Sequence, residues 1–440
     1  MSKKLKRSRY AFFINKDDGS VIAYSSLSGA IIAFREITYI DRLNQLLSQP
    51  EIEFDEKNDI ISVLYNKKLF VDVDADEDLL VRCLYEEGVI RNSTLDIMLI
   101  VTRQCNFRCV YCGQPHLDRK MEKETYDSVI AFVRNQLLLR GYSNVRVTFF
   151  GGEPLVEYNN IIWFLEKLKS MLDTDFPGIH MESGMSTNGY LLTPNHFDKL
   201  VSLNCSFYQI SVDGMSYTHD KTRPLVGGQP TWQTIINNLS YMVTTTALFK
   251  VALRTNFNFD VADSLQEFYK YVSEKLNDKR IGIYFETIKD QGNSETPQLL
   301  GEIESLFINV EIVGMLKEYA LSCNNVTSRS LPCSRVCYAS KPNYFVFDDQ
   351  GYLLKCSFDL DNETNNLGRI EDDGTVEINE SLYSKWVYSD YLSSNKCKKC
   401  SALPLCFGKR CPKARMAYGE MDCDLDVVKC EIEEMIKKYY

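Results

Sequence analysis

Short apolar runs separated by longer amphipathic stretches dominate the middle of the chain. "LDIMLIVT" (95–102), "VRVTFF" (145–150), "HMESGMST" (180–187), "FYQISVD" (207–213), "KVALRTNF" (250–257) and "IGIYFET" (281–287) have the length and composition of buried parallel strands. Helical patterns lie between them; in one, Ile161, Leu165, Leu168 and Leu172 fall on a single stripe. Six strand–helix units in succession predict an α/β fold, an open or partial (β/α)6 barrel over residues 93–322. In such sheets chemistry gathers beyond the C-terminal ends of the strands.

The pattern differs on either side. In residues 1–92, "YAFFINKDDGSVIAYSS" reads as a hairpin turning at Asp17-Asp18-Gly19. Three helices are expected after it: one faced by Ile37, Ile40 and Leu43, one over "DIISVLYNKKLF", and one over "DEDLLVRCLYEEG" ending at Gly88. A hairpin followed by three helices is the layout of a winged-helix-like module. Over residues 323–440 the strand–helix rhythm stops, and cysteines, turns and short strands take over. So little continuous apolar sequence calls for metal clusters as staples.

Composition narrows the class. With 440 residues, 45% of them hydrophobic and 25% charged, the chain is long enough for two or three globular domains. Its longest apolar stretches fall short of a membrane span, and the basic start "MSKKLKRSRY" leads into no secretory apolar core, so a cytoplasmic protein without a membrane partner is expected. A net charge of −10 argues against a nucleic-acid surface. Fifteen cysteines are many for a reducing compartment, where grouped cysteines point to metal or catalysis. Cys83, Cys205, Cys323 and Cys423 stand apart from the groups and read as small hydrophobes.

The densest group is "CNFRCVYC", which places Cys105, Cys109 and Cys112 directly after the first barrel strand. Three thiolates suit a four-iron cluster that leaves one iron open to a small molecule. They also suit a zinc site completed by His116. "GGEP" (Gly151, Gly152, Glu153, Pro154) ends the second strand, "STNG" with Ser186 and Asn188 the third, and "SVDG" with Ser211 and Asp213 the fourth. Arg254 lies in "LRTN" on the fifth. Taken singly, "GGEP" is also a capped turn, Arg254 a structural ion pair and Tyr111 a packing residue.

The spacing C-x3-C-x2-C, with these segments in order at successive strand ends, resembles the radical S-adenosylmethionine enzymes. That resemblance implies an open-iron [4Fe–4S] cluster on Cys105, Cys109 and Cys112 that binds S-adenosylmethionine and cleaves it to a 5′-deoxyadenosyl radical. It further implies cofactor contacts from Tyr111, Gly151, Gly152, Glu153, Pro154, Ser186, Asn188, Ser211, Asp213 and Arg254, with the glycines letting backbone approach the ligand. The C-x13-G-x4-C segment from Cys337 to Cys356, followed by Cys397, Cys400, Cys406, Cys411 and Cys430, resembles the SPASM extension with two auxiliary [4Fe–4S] clusters. By that analogy Cys333, Cys337, Cys356 and Cys411 hold one cluster and Cys397, Cys400, Cys406 and Cys430 the other. The last gaps are four and eighteen residues instead of three and seventeen, so Cys423 competes with Cys430. A zinc ribbon is the alternative for "CKKC".

Peptide-modifying members of the family often begin with a winged-helix-like element that adds a precursor's leader as an extra strand. The resemblance therefore implies a peptide maturase, of the kind that makes carbon–carbon (streptide-type lysine–tryptophan) or thioether cross-links, served by an electron donor such as flavodoxin or ferredoxin. An anaerobic sulfatase maturase and a zinc-stabilised peptide-binding scaffold are the alternatives. Glu286 and Asp213 sit at strand ends, but nothing in the sequence selects either as the base.

Overall fold

In the computed structural model, which describes residues 3–289, 299–388, 394–408, 411–418 and 423–440, the six apolar runs become six neighbouring strands. The chain divides into two units: Met1–Asn92, Asn325–Pro342 and Val387–Tyr440 form the first, Ser93–Asn324 and Asn343–Trp386 the second.

In the first unit, β1 (Lys4–Arg7), β2 (Ala11–Asn15), β3 (Val21–Ser25), β4 (Ile31–Phe34), α1 (Ile37–Leu47), β5 (Ile52–Glu53), α2 (Asp59–Asn66), β6 (Phe70–Asp72) and α3 (Glu77–Tyr85) follow one another. The expected hairpin is β2–β3, and β4 extends it to a three-stranded antiparallel sheet. A second small sheet, β5-β1-β6, escapes the sequence pattern because strands of two to four residues show no alternation. Consequently the helix expected through Phe70 stops at Asn66, because Phe70 pairs with Arg7 in β6. The expected stop at Gly88 also moves: a π-helical turn, Glu86–Ile90, carries α3 past it. Ile37 is 67% exposed at the start of α1, so Ile40 and Leu43 alone of the expected face are buried.

These ninety residues share a core with the end of the chain. Tyr10, Leu27, Val81 and Val89 pack with Val336, Leu403 and Phe407, and Cys333, Cys397 and Cys400 are half-buried against them. Backbone bonds from Cys333 N to Pro404 O and from Arg335 N to Leu405 O, 2.9 Å each, fix the segment.

In the second unit β7 (Thr94–Thr102), β8 (Asn144–Gly151), β9 (His180–Thr187), β10 (Cys205–Ser211), β11 (Lys250–Phe257) and β12 (Ile281–Thr287) lie side by side in sequence order, all parallel. From Leu95 onward β7 is entirely buried, as expected for a strand covered on both faces. The helix Lys123–Arg140 (α4) ends where Gly141 takes φ 63°, the left-handed cap that stops a helix. In the next, Tyr158–Asp175 (α5), the stripe Ile161, Leu165, Leu168 and Leu172 is buried, and Phe164 joins it.

The expected third domain is arranged differently. Residues 343–386 belong with the barrel, because β13 (Tyr344–Phe347) pairs parallel with β7, and β14 (Tyr352–Leu354) and β15 (Gly368–Arg369) continue that sheet antiparallel. Arg103, 2% exposed at the end of β7, bonds through Nε to Asp349 Oδ1 at 2.9 Å in the β13–β14 turn, which ties the two ends of the sheet segment.

Candidate functional site

The chain leaves β7 at Thr102 and enters the cysteine loop without regular structure of its own, so side chains and neighbouring backbone must hold it. On its near side, Gly152 N donates to Thr102 O (3.0 Å) and Glu153 N to Gln104 O (2.8 Å). That approach explains the glycines. A Cβ on Gly151, at φ 143°, would lie 2.3 Å from Thr102 O, and one on Gly152 would lie 2.1 Å from Gln104 O. The sequence reading had these glycines opening backbone to a ligand; here they admit the start of the cysteine loop.

Glu153 is fully buried and accepts from Thr187 Oγ1 (2.7 Å), Asn188 N (2.7 Å) and Leu155 N (3.0 Å). Burial raises its pKa, and those hydrogen bonds oppose the rise. Asn188 in turn donates from Nδ2 to Asn106 Oδ1 at 2.8 Å, inside the cysteine loop. "GGEP" and "STNG" thus act on the loop through one carboxylate.

On the far side the loop pairs with residues 222–226. Arg108 N bonds Pro224 O (2.9 Å), Val110 N bonds Thr222 O (3.0 Å) and Val226 N bonds Asn106 O (3.0 Å). Arg223, 7% exposed, donates from Nη1 to the Tyr111 hydroxyl at 2.6 Å. Tyr111 donates to Asp213 Oδ2 and accepts from Asn256 Nδ2 at 3.1 Å. Asp213 is buried and also accepts from Asn256 N at 3.0 Å. Its own N–H bonds His219 Nδ1 at 3.0 Å, which assigns the proton of that neutral ring to Nε2, 3.1 Å from Thr231 Oγ1. Tyr111 and Asp213 are therefore internal ties.

Around the thiols, burial pushes Cys105 up to about 12, with the nearby charge of Glu153 adding to it. Burial also raises Cys109, to about 11, against the pull of the Arg223 guanidinium. Metal binding here must release protons, as thiolate ligation requires. The Cys105, Cys109 and Cys112 donor set, carried on a pinned loop at a strand end, fits a cluster ligated by three cysteines. Among the described residues, no three His, Cys, Asp or Glu side chains converge closely enough to hold a single metal ion.

The remaining residues separate. Ser186 Oγ accepts from Gln209 Nε2 at 3.0 Å, and Ser211 pairs in register with Arg254. Arg254 donates from Nε to Asn256 Oδ1 at 2.8 Å, lies over the Tyr284 ring, and has no carboxylate within ion-pair distance among the described residues. Glu286 is bonded by the Tyr284 hydroxyl. His116 is half-buried, and burial lowers its pKa. In the first unit, burial and the neighbouring Cys406, Cys423 and Cys397 raise the Cys400 thiol to about 11. The sequence favoured Cys430 for this group with Cys423 as its competitor; Cys430 is exposed on the terminal helix Leu425–Tyr439, and Cys423 is half-buried. Cys411 is exposed; Cys356 lies in the second unit, and Cys333 and Cys337 in the first. Cys205 and Cys323 are buried, as small hydrophobes are, whereas Cys83 is exposed.

Arg223, Asn106, Thr187, Asn256 and His219 were not singled out from the sequence. The signal available was "HDKTR" (219–223), a concentration of polar groups in the short helix Ser216–Thr222 and at its end, just beyond "SVDG".

Residues 99–244 match the model of the Radical SAM superfamily. This part of the chain is a radical SAM domain, and that superfamily works with a [4Fe–4S] cluster and S-adenosylmethionine. Over nearly the whole chain the protein is similar to the radical SAM cyclopropyl synthase TigE of Paramaledivibacter caminithermalis, at 20% identity across 99% of this chain and 95% of that one. A GTP 3′,8-cyclase of Heliobacterium modesticaldum is 33% identical over 26% of this chain and 32% of its own length. Among solved structures, native anSMEcpe with bound AdoMet aligns at a TM-score of 0.60 and 17% identity, covering 78% of this chain and 96% of that one. Streptococcus suis SuiB bound to precursor peptide SuiA aligns at 0.51 and 13% identity, over 94% and 97%. The shared fold is the partial barrel. No helix among the described residues is long and apolar enough to cross a membrane.

The buried His219 ring carries a pH dependence. Burial holds its folded pKa well below the ordinary 6.5, so above pH 6.5 neither state binds the proton and its contribution to stability is complete. Below 6.5 the unfolded chain takes up a proton that the folded one refuses, and stability is lost until the folded pKa is reached. Urea unfolding of the cluster-free protein is expected to lose up to about 1.4 kcal/mol per pH unit there through this one ring, a component absent in His219→Gln.

Proposed function

We propose that the protein is a radical S-adenosylmethionine maturase of a ribosomally made peptide, with auxiliary clusters in its cysteine-rich tail, and that it installs an intramolecular cross-link. The observation that carries this reading is the presentation of Cys105, Cys109 and Cys112 at the end of β7 on a loop tied to the ends of β8, β9, β10 and β11. A cluster and S-adenosylmethionine bound there would supply a 5′-deoxyadenosyl radical able to take a hydrogen atom from an unactivated carbon.

The chain's own residues do the positioning. Glu153 and Asn188 hold one flank of the loop, and Arg223, through Tyr111 and Asp213, holds the other. Arg254, whose guanidinium has no carboxylate partner among the described residues, is the candidate for the carboxylate of S-adenosylmethionine. Closing a cross-link removes two hydrogens from the peptide, one to deoxyadenosyl and one as a proton and an electron. The C-terminal cysteines would house acceptors for that electron, with Cys423 completing the group of Cys397, Cys400 and Cys406. A peptide substrate is supported by the likeness to SuiB, solved with its precursor peptide.

A leader has a place to add. In the β2-β3-β4 sheet the C-terminal helix Leu425–Tyr439 packs at β2, and β4 is an edge that pairs with no further strand among the described residues. Ser25 N bonds Ala30 O, so by antiparallel alternation Ile31 and Ala33 turn their backbone groups outward. A sulfatase maturase would have no need of such an edge, which favours the cross-linking reading.

Replacing Cys105, Cys109 and Cys112 together by Ala should abolish 5′-deoxyadenosine formation from S-adenosylmethionine under reduction; formation that persists would falsify the assignment. Anaerobically prepared protein should hold about twelve irons, four for each of three clusters. Cys423→Ala should lower that content and Cys430→Ala should leave it; the reverse order restores Cys430 as the ligand. Ala33→Pro, on an edge where Pro is tolerated, should weaken precursor binding about tenfold while S-adenosylmethionine is still cleaved without peptide. Equal precursor affinity in that variant removes β4 as the docking strand.

A further inference from the structure

The cysteine loop and the stretch that follows the helix Ser216–Thr222 run antiparallel past each other. Val226 N bonds Asn106 O, Arg108 N bonds Pro224 O and Val110 N bonds Thr222 O, while Phe107 and Leu225 face each other as a bridge. All four pairs share one register, and that register sets Cys109 opposite Arg223. The two residues fall at a non-hydrogen-bonded position, where facing Cα atoms of an antiparallel pair lie roughly 4.5 Å apart and the side chains are brought together.

The side chains agree with that register. Arg223 Nη1 is 2.6 Å from the hydroxyl of Tyr111, two residues after Cys109, and the guanidinium lies 5.9 Å from the centre of the Phe107 ring, two residues before it. Cys109 falls between those contacts. Burial raises its thiol and the guanidinium opposes the rise. Arg223 is itself 7% exposed, and its Nε is buried with no hydrogen-bond partner among the described residues. A donor left over in the interior is costly unless a bound group brings the acceptor. Neighbouring charges do not take its place. Asp213, 3.9 Å from the guanidinium, is shared with Tyr111, Asn256 and Thr222. After burial itself, Glu153 is what raises the Cys105 thiol, and Arg108, which bonds the carbonyls of Cys105 and Phe107, is exposed to water and screened.

We infer that Arg223 acts on the cluster as well as on the loop: its charge opposes the negative charge added on reduction, its Nε serves a sulfur at the Cys109 corner, and together they raise the cluster's reduction potential. Reduction adds an electron to a site already carrying three thiolates. In a low-dielectric interior a fixed cation stabilises the reduced form more than the oxidised one, and a hydrogen bond to sulfur acts in the same sense. The inference rests on the reading that Cys105, Cys109 and Cys112 hold the cluster.

The test is a reductive titration of the full-length, cluster-loaded protein followed by EPR without S-adenosylmethionine. The signal to follow is the one that changes when S-adenosylmethionine is added to a separate sample, which marks the open-iron cluster among the others. In Arg223→Gln its midpoint should become more negative by about tenfold in the one-electron equilibrium constant, about 59 mV. In Arg223→Lys, which keeps the charge, it should stay closer to that of the parent. Arg223→Met, neutral and at ease in apolar surroundings, is the second neutral variant should Arg223→Gln lose its cluster. A guanidinium that only braced Tyr111 would be missed alike in all of these, since none reproduces its fork. Equal midpoints in the lysine and neutral variants, or an unmoved midpoint in a neutral one, therefore overturn the inference. A parent protein with no signal that responds to S-adenosylmethionine would sink the reading of the three cysteines and this inference with it; with that signal present, the inference alone is at stake.

Discussion

The site depends on one close approach between main chains. Where β7 and β8 end, the backbone of Gly152 lies against the carbonyl of Gln104 so tightly that a methyl group would overlap it. From this contact the next residue, Glu153, is delivered to the interior, where its carboxylate gathers three donors from two strand ends. An irregular loop can present three thiols reproducibly only if its neighbours leave it no alternative conformation, and a glycine-lined seam backed by a buried carboxylate does so without contributing a ligand.

The polar ties are costly in isolation. Removing Glu153, Asp213 and Arg223 from water is unfavourable, and a buried ion pair such as Arg223–Asp213 at 3.9 Å adds little net stability beyond what apolar packing would give. Such groups instead make wrong arrangements expensive: a loop shifted by one residue would strand a buried charge. The stability of the barrel comes from elsewhere, from Leu165, Leu168, Leu172 and their neighbours under the sheet.

This division explains what the sequence revealed. Strands buried on both faces and helices with one apolar stripe leave periodic signatures, and β9, β11 and β12 coincide with runs read from the sequence alone. Ligand cysteines announce themselves by spacing. Strands of two or three residues carry no period, and β13 joins the barrel through pairing with β7, a relation between positions some 250 apart that no local pattern encodes. The supporting side chains were hidden for the same reason. Arg223 is an ordinary helix-terminal arginine until the fold brings Tyr111 against it.

The ties are also unevenly distributed along the loop. Thr102 and Gln104 are held by the seam with β8, Asn106 through Val110 by Asn188 and residues 222–226, and Tyr111 by Asp213 and Arg223. Just past Cys112 the partners change: Gly113, Gln114 and Pro115 line a cavity of about 450 Å³ together with Arg103 and residues 358–362. A loop immobilised through its thiol-bearing part and opening onto a cavity beyond it keeps fixed geometry where the three thiols lie and leaves room beside them. Residues 358–362 can then change without disturbing the bonds that hold the thiols.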